Sequence, residues 1–217
     1  MLKAILFDHD GTLVASEQIH YQLWLETLAP LGLSLAKAEY DRHFAGMPTR
    51  ANAELLAGRH PQTTAAELLA AKGDLTRRFL AEAAFPLLPG VARTLARLKA
   101  AGLRLAMVTG AGRHEVAASC RAYGFDSLFE TIVCGDDVHF GKPHPEPYLL
   151  ALSRLGLDKD QALAVEDTAH GLASALAAGL GCIAIPNELS QGHDFSGAAA
   201  VLADMDAACD WLLSQGR

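Results

Sequence analysis

Short apolar runs recur along the chain, each ending in a polar or small residue: 3–8 (KAILFD), 103–108 (LRLAMV), 131–134 (TIVC), 162–165 (ALAV) and 182–185 (CIAI). Continuous apolar runs of this length are the pattern of strands buried on both faces of a parallel sheet. Between them lie stretches with apolar residues at helical spacing, at 91–101, 113–123, 146–155 and 168–178. Residues 201–202 predict a last short strand and 205–213 a closing helix. Strands alternating with helices predict an α/β fold: a doubly wound, mostly parallel sheet with a Rossmann-like core.

The alternation breaks between residues 15 and 83, where no strand pattern is found. Four segments there, 17–31, 35–44, 49–57 and 64–82, carry Leu and Ala at helical spacing and predict a helical bundle. The bundle follows the first strand, so it is an insertion: the core takes residues 1–14 and 84–217, the helical cap 15–83. Pro86, Pro89 and Gly90 mark the return to the core. Such an insert is expected above the carboxyl ends of the parallel strands, where sheets of this kind bind ligands.

Composition narrows the function classes. Of 217 residues, 51% are hydrophobic and 20% charged, which excludes a disordered chain, a collagen and a disulfide miniprotein. The acids outnumber Lys and Arg by 25 to 18, for a net charge of −7. No nucleic-acid partner is expected of so acidic a chain without a long basic run, whereas a small anionic substrate needs only one local cationic site. Cys120, Cys134, Cys182 and Cys209 form no CxxC pair and read as thiols of a reducing compartment. No apolar run approaches the roughly 18 residues of a membrane span. The first residues run straight into a strand pattern without signal-peptide architecture, so a cytoplasmic protein is expected.

The chemistry concentrates at strand ends. Asp8 and Asp10 alternate along an extended segment and can face one site. Two carboxylates that close need a cation or a shared proton. Gly11 permits a sharp turn and Thr12 can hydrogen-bond it. Thr109 and Gly110 end the second run, Gly141-Lys142-Pro143 follows the third, and Glu166-Asp167-Thr168 ends the fourth. In a parallel sheet these ends share one rim. An acid pair, a hydroxyl, a lysine and a second acid pair then converge. Each alone has a plain structural reading as a solvated end or a helix cap.

In that order and spacing the chain resembles the haloacid dehalogenase superfamily of phosphatases and phosphomutases, in the subgroup with a helical cap after the first motif. The resemblance rests on D-x-D-G-T-L at 8–13, the hydroxyl of Thr109, G-K-P-x-P-x-P at 141–147 and E-D-T at 166–168, continued by Gly171 and residues 177–179. The spacing of His20 and Trp24 looks like the β-phosphoglucomutase branch. Three departures stand out. Gly110 replaces a common Ser or Asn, His9 occupies a usually apolar position with its side chain expected to face away from Asp8, and Ala15 replaces a common acid.

The resemblance implies a Mg²⁺-dependent phosphatase of small phosphorylated metabolites, sugar phosphates first among them, with a phosphoenzyme on Asp8. Asp10 would act as general acid and base. Asp8, the Asp10 carbonyl and Asp167 would hold Mg²⁺, assisted by Glu166. Thr109, Gly110 and Lys142 would hold the phosphoryl group. Gly46, Thr49, Arg50 and Lys72 of the cap would meet the rest of the substrate, and Arg113, after the Thr109 loop, either meets a distal anionic group or stands as an exposed arginine at a helix start. His20, one helical turn from Trp24, is either packed beside it or turned toward the active site. The alternative is a β-phosphoglucomutase-like mutase; a non-catalytic binding protein would be expected to lose Asp8, Asp10 or Asp167. A monomer or small homo-oligomer without a membrane partner is expected.

Overall fold

Strand β1 (Ala4–Phe7) is apolar on both faces and completely buried, as the centre of a parallel sheet requires. The computed structural model, which describes residues 1–215, places β1 between β2 (Arg104–Val108) and β4 (Ala162–Glu166). Outside β2 lies β3 (Thr131–Val133); outside β4 lie β5 (Gly181–Ala184) and β6 (Ala200–Val201). Every pairing is parallel, in the order β3-β2-β1-β4-β5-β6. The chain thus builds outward through β2 and β3, then crosses to the other side of β1. The reversal opens a crevice at the carboxyl ends of β1 and β4. Phe7 pairs with Met107 and Val165, so the next residues, Asp8, Val108 and Glu166, reach the rim together.

Two compact units result: Met1–Ala15 with the chain from Pro86 onward, and Ser16–Phe85. The sheet unit closes the insertion point with its own backbone. Val14 and Leu87 form an antiparallel bridge, and the Ala15 N–H donates to the Pro86 carbonyl at 2.8 Å.

The Ser16–Phe85 unit consists of α1 (Glu17–Leu28), α2 (Lys37–His43), α3 (Thr49–Arg59) and α4 (Ala65–Glu82). Trp24, Leu28, Tyr40, Phe44, Leu56 and Leu68 are nearly inaccessible and pack as one cluster. A reciprocal capping box of Thr64 and Glu67 starts α4. The expected first helix is shortened: α1 stops at Leu28 and a 3-10 turn, Ala29–Leu31, follows, because Pro30 has no N–H to continue the ladder.

In the sheet unit, α5 (Val91–Ala100), α6 (Arg113–Tyr123), α8 (Glu146–Leu155), α9 (Ala169–Ala177) and α10 (Met205–Ser214) alternate with the strands as expected. An additional turn of helix, α7 (Phe125–Leu128), is too short to leave a periodic signature. Tyr148, Ala151, Leu152 and Leu155 of α8 pack with Leu172 and Ala175 of α9 against Leu6, Val108 and Ala164 of the sheet. All four cysteines are free thiols. Among the described residues no helix is long and apolar enough to cross a membrane.

Candidate active site

Asp8 leaves β1 with its N–H donating to the Val165 carbonyl at 3.0 Å, which continues the sheet by one residue and holds the carboxylate at the rim. Lys142, beyond β3, reaches across. Its Nζ donates to Asp8 Oδ1 at 2.5 Å, to Glu166 Oε1 at 2.6 Å and to the Val108 carbonyl at 2.8 Å. The lysine thereby spans the ends of β1, β2 and β4, with its own side chain only 12% exposed. Glu166 Oε1 also accepts from the Tyr148 hydroxyl at 2.6 Å.

Asp167 is positioned from two sides. Asn187 Nδ2 donates to Oδ2 at 2.7 Å, and the Thr12 hydroxyl donates to Oδ1 at 3.4 Å. Thr12 thus serves the acid rather than its own turn, which corrects the expectation from the sequence. Gly11 makes the approach possible. It has φ +82°, and a Cβ there would stand 2.1 Å from Asp167 Oδ2.

Asp8, Glu166 and Asp167 are all buried, and each presents an oxygen within 4.8 Å of the others. Burial raises the Asp8 carboxyl to about 7; Lys142 opposes the shift, while Glu166 and Asp10 add to it. Asp167 is pushed well above the ordinary carboxylate range by burial and then by Asp8 and Glu166. Burial disfavours the Lys142 ammonium, but Asp8 and Glu166 outweigh it and its pKa rises. Three buried carboxylates facing one ammonium are short of positive charge. Hard oxygen donors in that arrangement fit a divalent cation such as Mg²⁺.

Asp10 lies beside this group. Its Oδ2 is 3.2 Å from Nδ1 of the fully buried His9, whose Nε2 is 2.9 Å from Ser119 Oγ on α6. Burial penalises the His9 imidazolium, but Asp10 outweighs that and the net shift is upward. The Thr109 hydroxyl lies 3.5 Å from the same Asp10 oxygen and accepts from the Ala111 N–H at 2.9 Å. At Gly110 a Cβ would meet nothing within 4 Å, so packing leaves that position open.

The remaining sequence candidates have local partners of their own. The Arg113 guanidinium ion-pairs with Asp137, which Arg154 also approaches. In the helical unit His20 Nδ1 is 2.9 Å from Lys72 Nζ, and its ring packs on Phe85 with centroids 5.0 Å apart. The Lys72 ammonium lies 5.9 Å from the Trp24 ring centre, so it stands between His20 and Trp24. Glu17 accepts from the Gly46 N–H at 3.2 Å and from the Tyr40 hydroxyl, fixing the loop that leads to Thr49 and Arg50 at the start of α3.

Sequence reasoning missed Tyr148, Asn187 and Ser119. Asn187 follows β5, so the rule that located the other strand-end residues applies to it as well. Tyr148 and Ser119 sit within helices whose pattern reads only as packing.

A family model described as haloacid dehalogenase-like hydrolase matches residues 2–179. The chain is 40% identical over 216 residues to the protein CbbY of Rhodobacter capsulatus, with 95% of each chain covered. It is 26% identical over 184 residues to hexitol phosphatase B of Escherichia coli (strain K12), covering 84% of this chain and 83% of that one. A CbbY variant of Rhodobacter sphaeroides, solved in complex with xylulose-(1,5)bisphosphate, superposes with a TM-score of 0.82 at 34% identity, over 94% of this chain and 95% of that one. With a parallel α/β core, a helical insertion after β1 and acids and lysine on one rim, the chain belongs to the haloacid dehalogenase-like hydrolase family.

Proposed function

We propose that this hydrolase is a Mg²⁺-dependent phosphomonoesterase of phosphorylated sugars that works through an aspartyl-phosphate on Asp8. The observation that carries the reading is the buried Asp8 carboxylate, bonded to Lys142 and within 4.8 Å of two further acids. The sugar class is supported by the hexitol phosphatase and by the CbbY complex with a sugar bisphosphate.

Asp8, the Asp10 carbonyl and Asp167, assisted by Glu166, would hold Mg²⁺, which when bound supplies positive charge against the phosphoryl oxygens. Asp8 then attacks phosphorus, the P–O bond to the sugar breaks, and Asp10 gives its proton to the departing alkoxide. In the second half Asp10 takes a proton from water as the water oxygen attacks phosphorus. The Asp8–P bond breaks, releasing phosphate and returning Asp8 to its carboxylate and Asp10 to its protonated form. Lys142 opposes the burial that favours protonated Asp8 and would face the phosphoryl oxygens; Thr109 and the backbone at Gly110 would complete their binding. The same proposal gives recognition of the sugar to His20, Gly46, Thr49 and Lys72.

Phosphate release from a panel of phosphorylated sugars, with Mg²⁺ and with chelator, tests the reading. Xylulose 1,5-bisphosphate and β-glucose 1-phosphate with a trace of the 1,6-bisphosphate belong in the panel. Metal-dependent release from a few sugars is expected, with a loss on the order of 10³-fold or more in Asp8→Asn, as for removal of a nucleophile. Chelator-insensitive release, or turnover retained in Asp8→Asn, would overturn it. Glucose 6-phosphate formed without free phosphate would replace the phosphatase with a mutase.

A further inference from the structure

His9 is the one side chain at the end of β1 that this chemistry leaves unused. It is completely buried, and both of its ring nitrogens are engaged by side chains: Nδ1 by Asp10 and Nε2 by Ser119. A histidine that only filled space could meet backbone carbonyls, and an apolar residue would fill the same volume with nothing to satisfy. Instead the ring bridges the rim to the interior of α6, where Ser119 is also fully buried. A carboxylate only accepts, so the hydrogen of the Asp10 contact sits on Nδ1, and Nε2 meets the Ser119 hydroxyl, which can give or take a hydrogen.

The geometry matters because of where Asp10 lies. Its side chain is 32% exposed while its Oδ1 is buried, so the contacts it makes decide its orientation. Proton transfer demands a donor held within hydrogen-bond reach of the departing oxygen. The contact from His9, shorter than the 3.5 Å contact from Thr109, falls on the same Oδ2, so two neighbours fix one oxygen.

We propose that His9 is a positioning residue for Asp10: the Ser119–His9–Asp10 chain fixes the carboxylate at the place where the alcohol leaves. This rests on the reading of Asp10 as the proton donor, and the experiment separates the two. Kinetics are measured on the Mg²⁺-loaded protein with a phosphorylated sugar that the panel shows to be turned over, and with 4-nitrophenyl phosphate, whose leaving group needs no proton. Asn at position 9 keeps a nitrogen where Nδ1 was and can still bond Asp10; Gln keeps one where Nε2 was and can still bond Ser119.

His9→Gln and His9→Leu are expected to lower kcat/KM on the sugar ester, which reports the steps through departure of the alcohol, about 10- to 100-fold, part of the roughly 10²–10⁴ that general acid–base catalysis contributes. On 4-nitrophenyl phosphate kcat/KM should change by less than about threefold, because departure of that group does not call on Asp10 and the later hydrolysis of the phosphoenzyme does not enter kcat/KM. His9→Asn should stay near the wild type on both esters. Ser119→Ala, a smaller excision that spares the ring, should show the same selective loss in weaker form, and thermal unfolding of each variant verifies the fold. Equal losses on the two esters in His9→Gln, or a His9→Gln indistinguishable from His9→Asn, would overturn the positioning role. Asp10→Asn is the control. If it shows the ester selectivity in kcat/KM and the His9 variants do not, the proposal fails alone; if Asp10→Asn lowers kcat/KM equally on both esters, the reading of Asp10 as proton donor fails and takes this one with it.

Discussion

Replacing Lys142 with Met removes the ammonium that Asp8 and Glu166 share and leaves a chain of similar length in its place. Three donated hydrogen bonds go with it, to Asp8, Glu166 and the Val108 carbonyl. Both acids are buried, so neither can turn to water for compensation. Breaking a buried ion pair from one side costs about 3–5 kcal/mol, and for a chain of this length each kcal/mol moves Tm by about 2–4 °C; the expected drop in chelator is roughly 6–20 °C. The drop should depend on pH. Asp8 already sits at about 7, and Lys142 is the influence that holds it down. Without the lysine it rises further, so near neutrality the folded variant holds a proton that the unfolded chain, with an ordinary carboxylate near 3.9, has released. Where the folded state binds more protons, stability falls as pH rises, so the deficit should be larger at about pH 8 than at about pH 5.5. Mg²⁺ should reduce the deficit by restoring positive charge among the same oxygens. Differential scanning fluorimetry at both pH values, with chelator and with Mg²⁺, measures all of this. A deficit that is the same at both pH values and with or without metal would refute the electrostatic account of Lys142.

Two glycine substitutions test the packing behind the acids. In Gly11→Ala the new Cβ would lie 2.1 Å from Asp167 Oδ2, at a φ of +82°. The left-handed backbone costs about 1–2 kcal/mol, and displacing Asp167 should weaken Mg²⁺ binding about 10- to 100-fold by calorimetric titration; unchanged affinity would remove Asp167 from the ligand set. In Gly171→Ala the Cβ would lie 1.8 Å from Glu166 Oε2. Alanine usually favours a helix over glycine by about 1 kcal/mol, but overpacking here should lower stability by about 1–3 kcal/mol; a raised Tm would show that Glu166 yields without loss.

The sheet and the first ring of the site were legible because one rule governs both. Strands buried on two faces have no room for polar residues, so each apolar run ends where the chain meets solvent, and its first polar residue stands on the rim. Asp8, Thr109 and Glu166 are such residues, and the observed order β3-β2-β1-β4 makes the strands that carry them neighbours. Lys142 was legible from its place after the third run, although its bridge across three strand ends was not. Boundaries were less legible where chain geometry overrode periodicity. Pro30 cut α1 short, and α7 is a single turn without a repeat to read.

The partners of the rim residues escaped for a physical reason that also bears on specificity. Tyr148 and Ser119 lie on helices whose buried faces must be filled in any case, so their polar atoms are hidden within a pattern that reads as packing. What distinguishes them is a hydroxyl aimed at Glu166 in one case and at His9 in the other, and direction is a property of the packed fold. The same holds in the helical unit. His20 and Lys72 are 52 positions apart and become a bonded pair only through the packing of α1 on α4. A strand end announces its chemistry in one dimension because a single residue suffices to place an acid on the rim. Recognition of a sugar needs several side chains from different helices aimed at one place, and the spacing within any one of those helices does not encode that convergence. The strand-end acids, hydroxyl and lysine were therefore legible at 8–13, 109, 142 and 166–167, while the pairing of His20 with Lys72 required the folded helices.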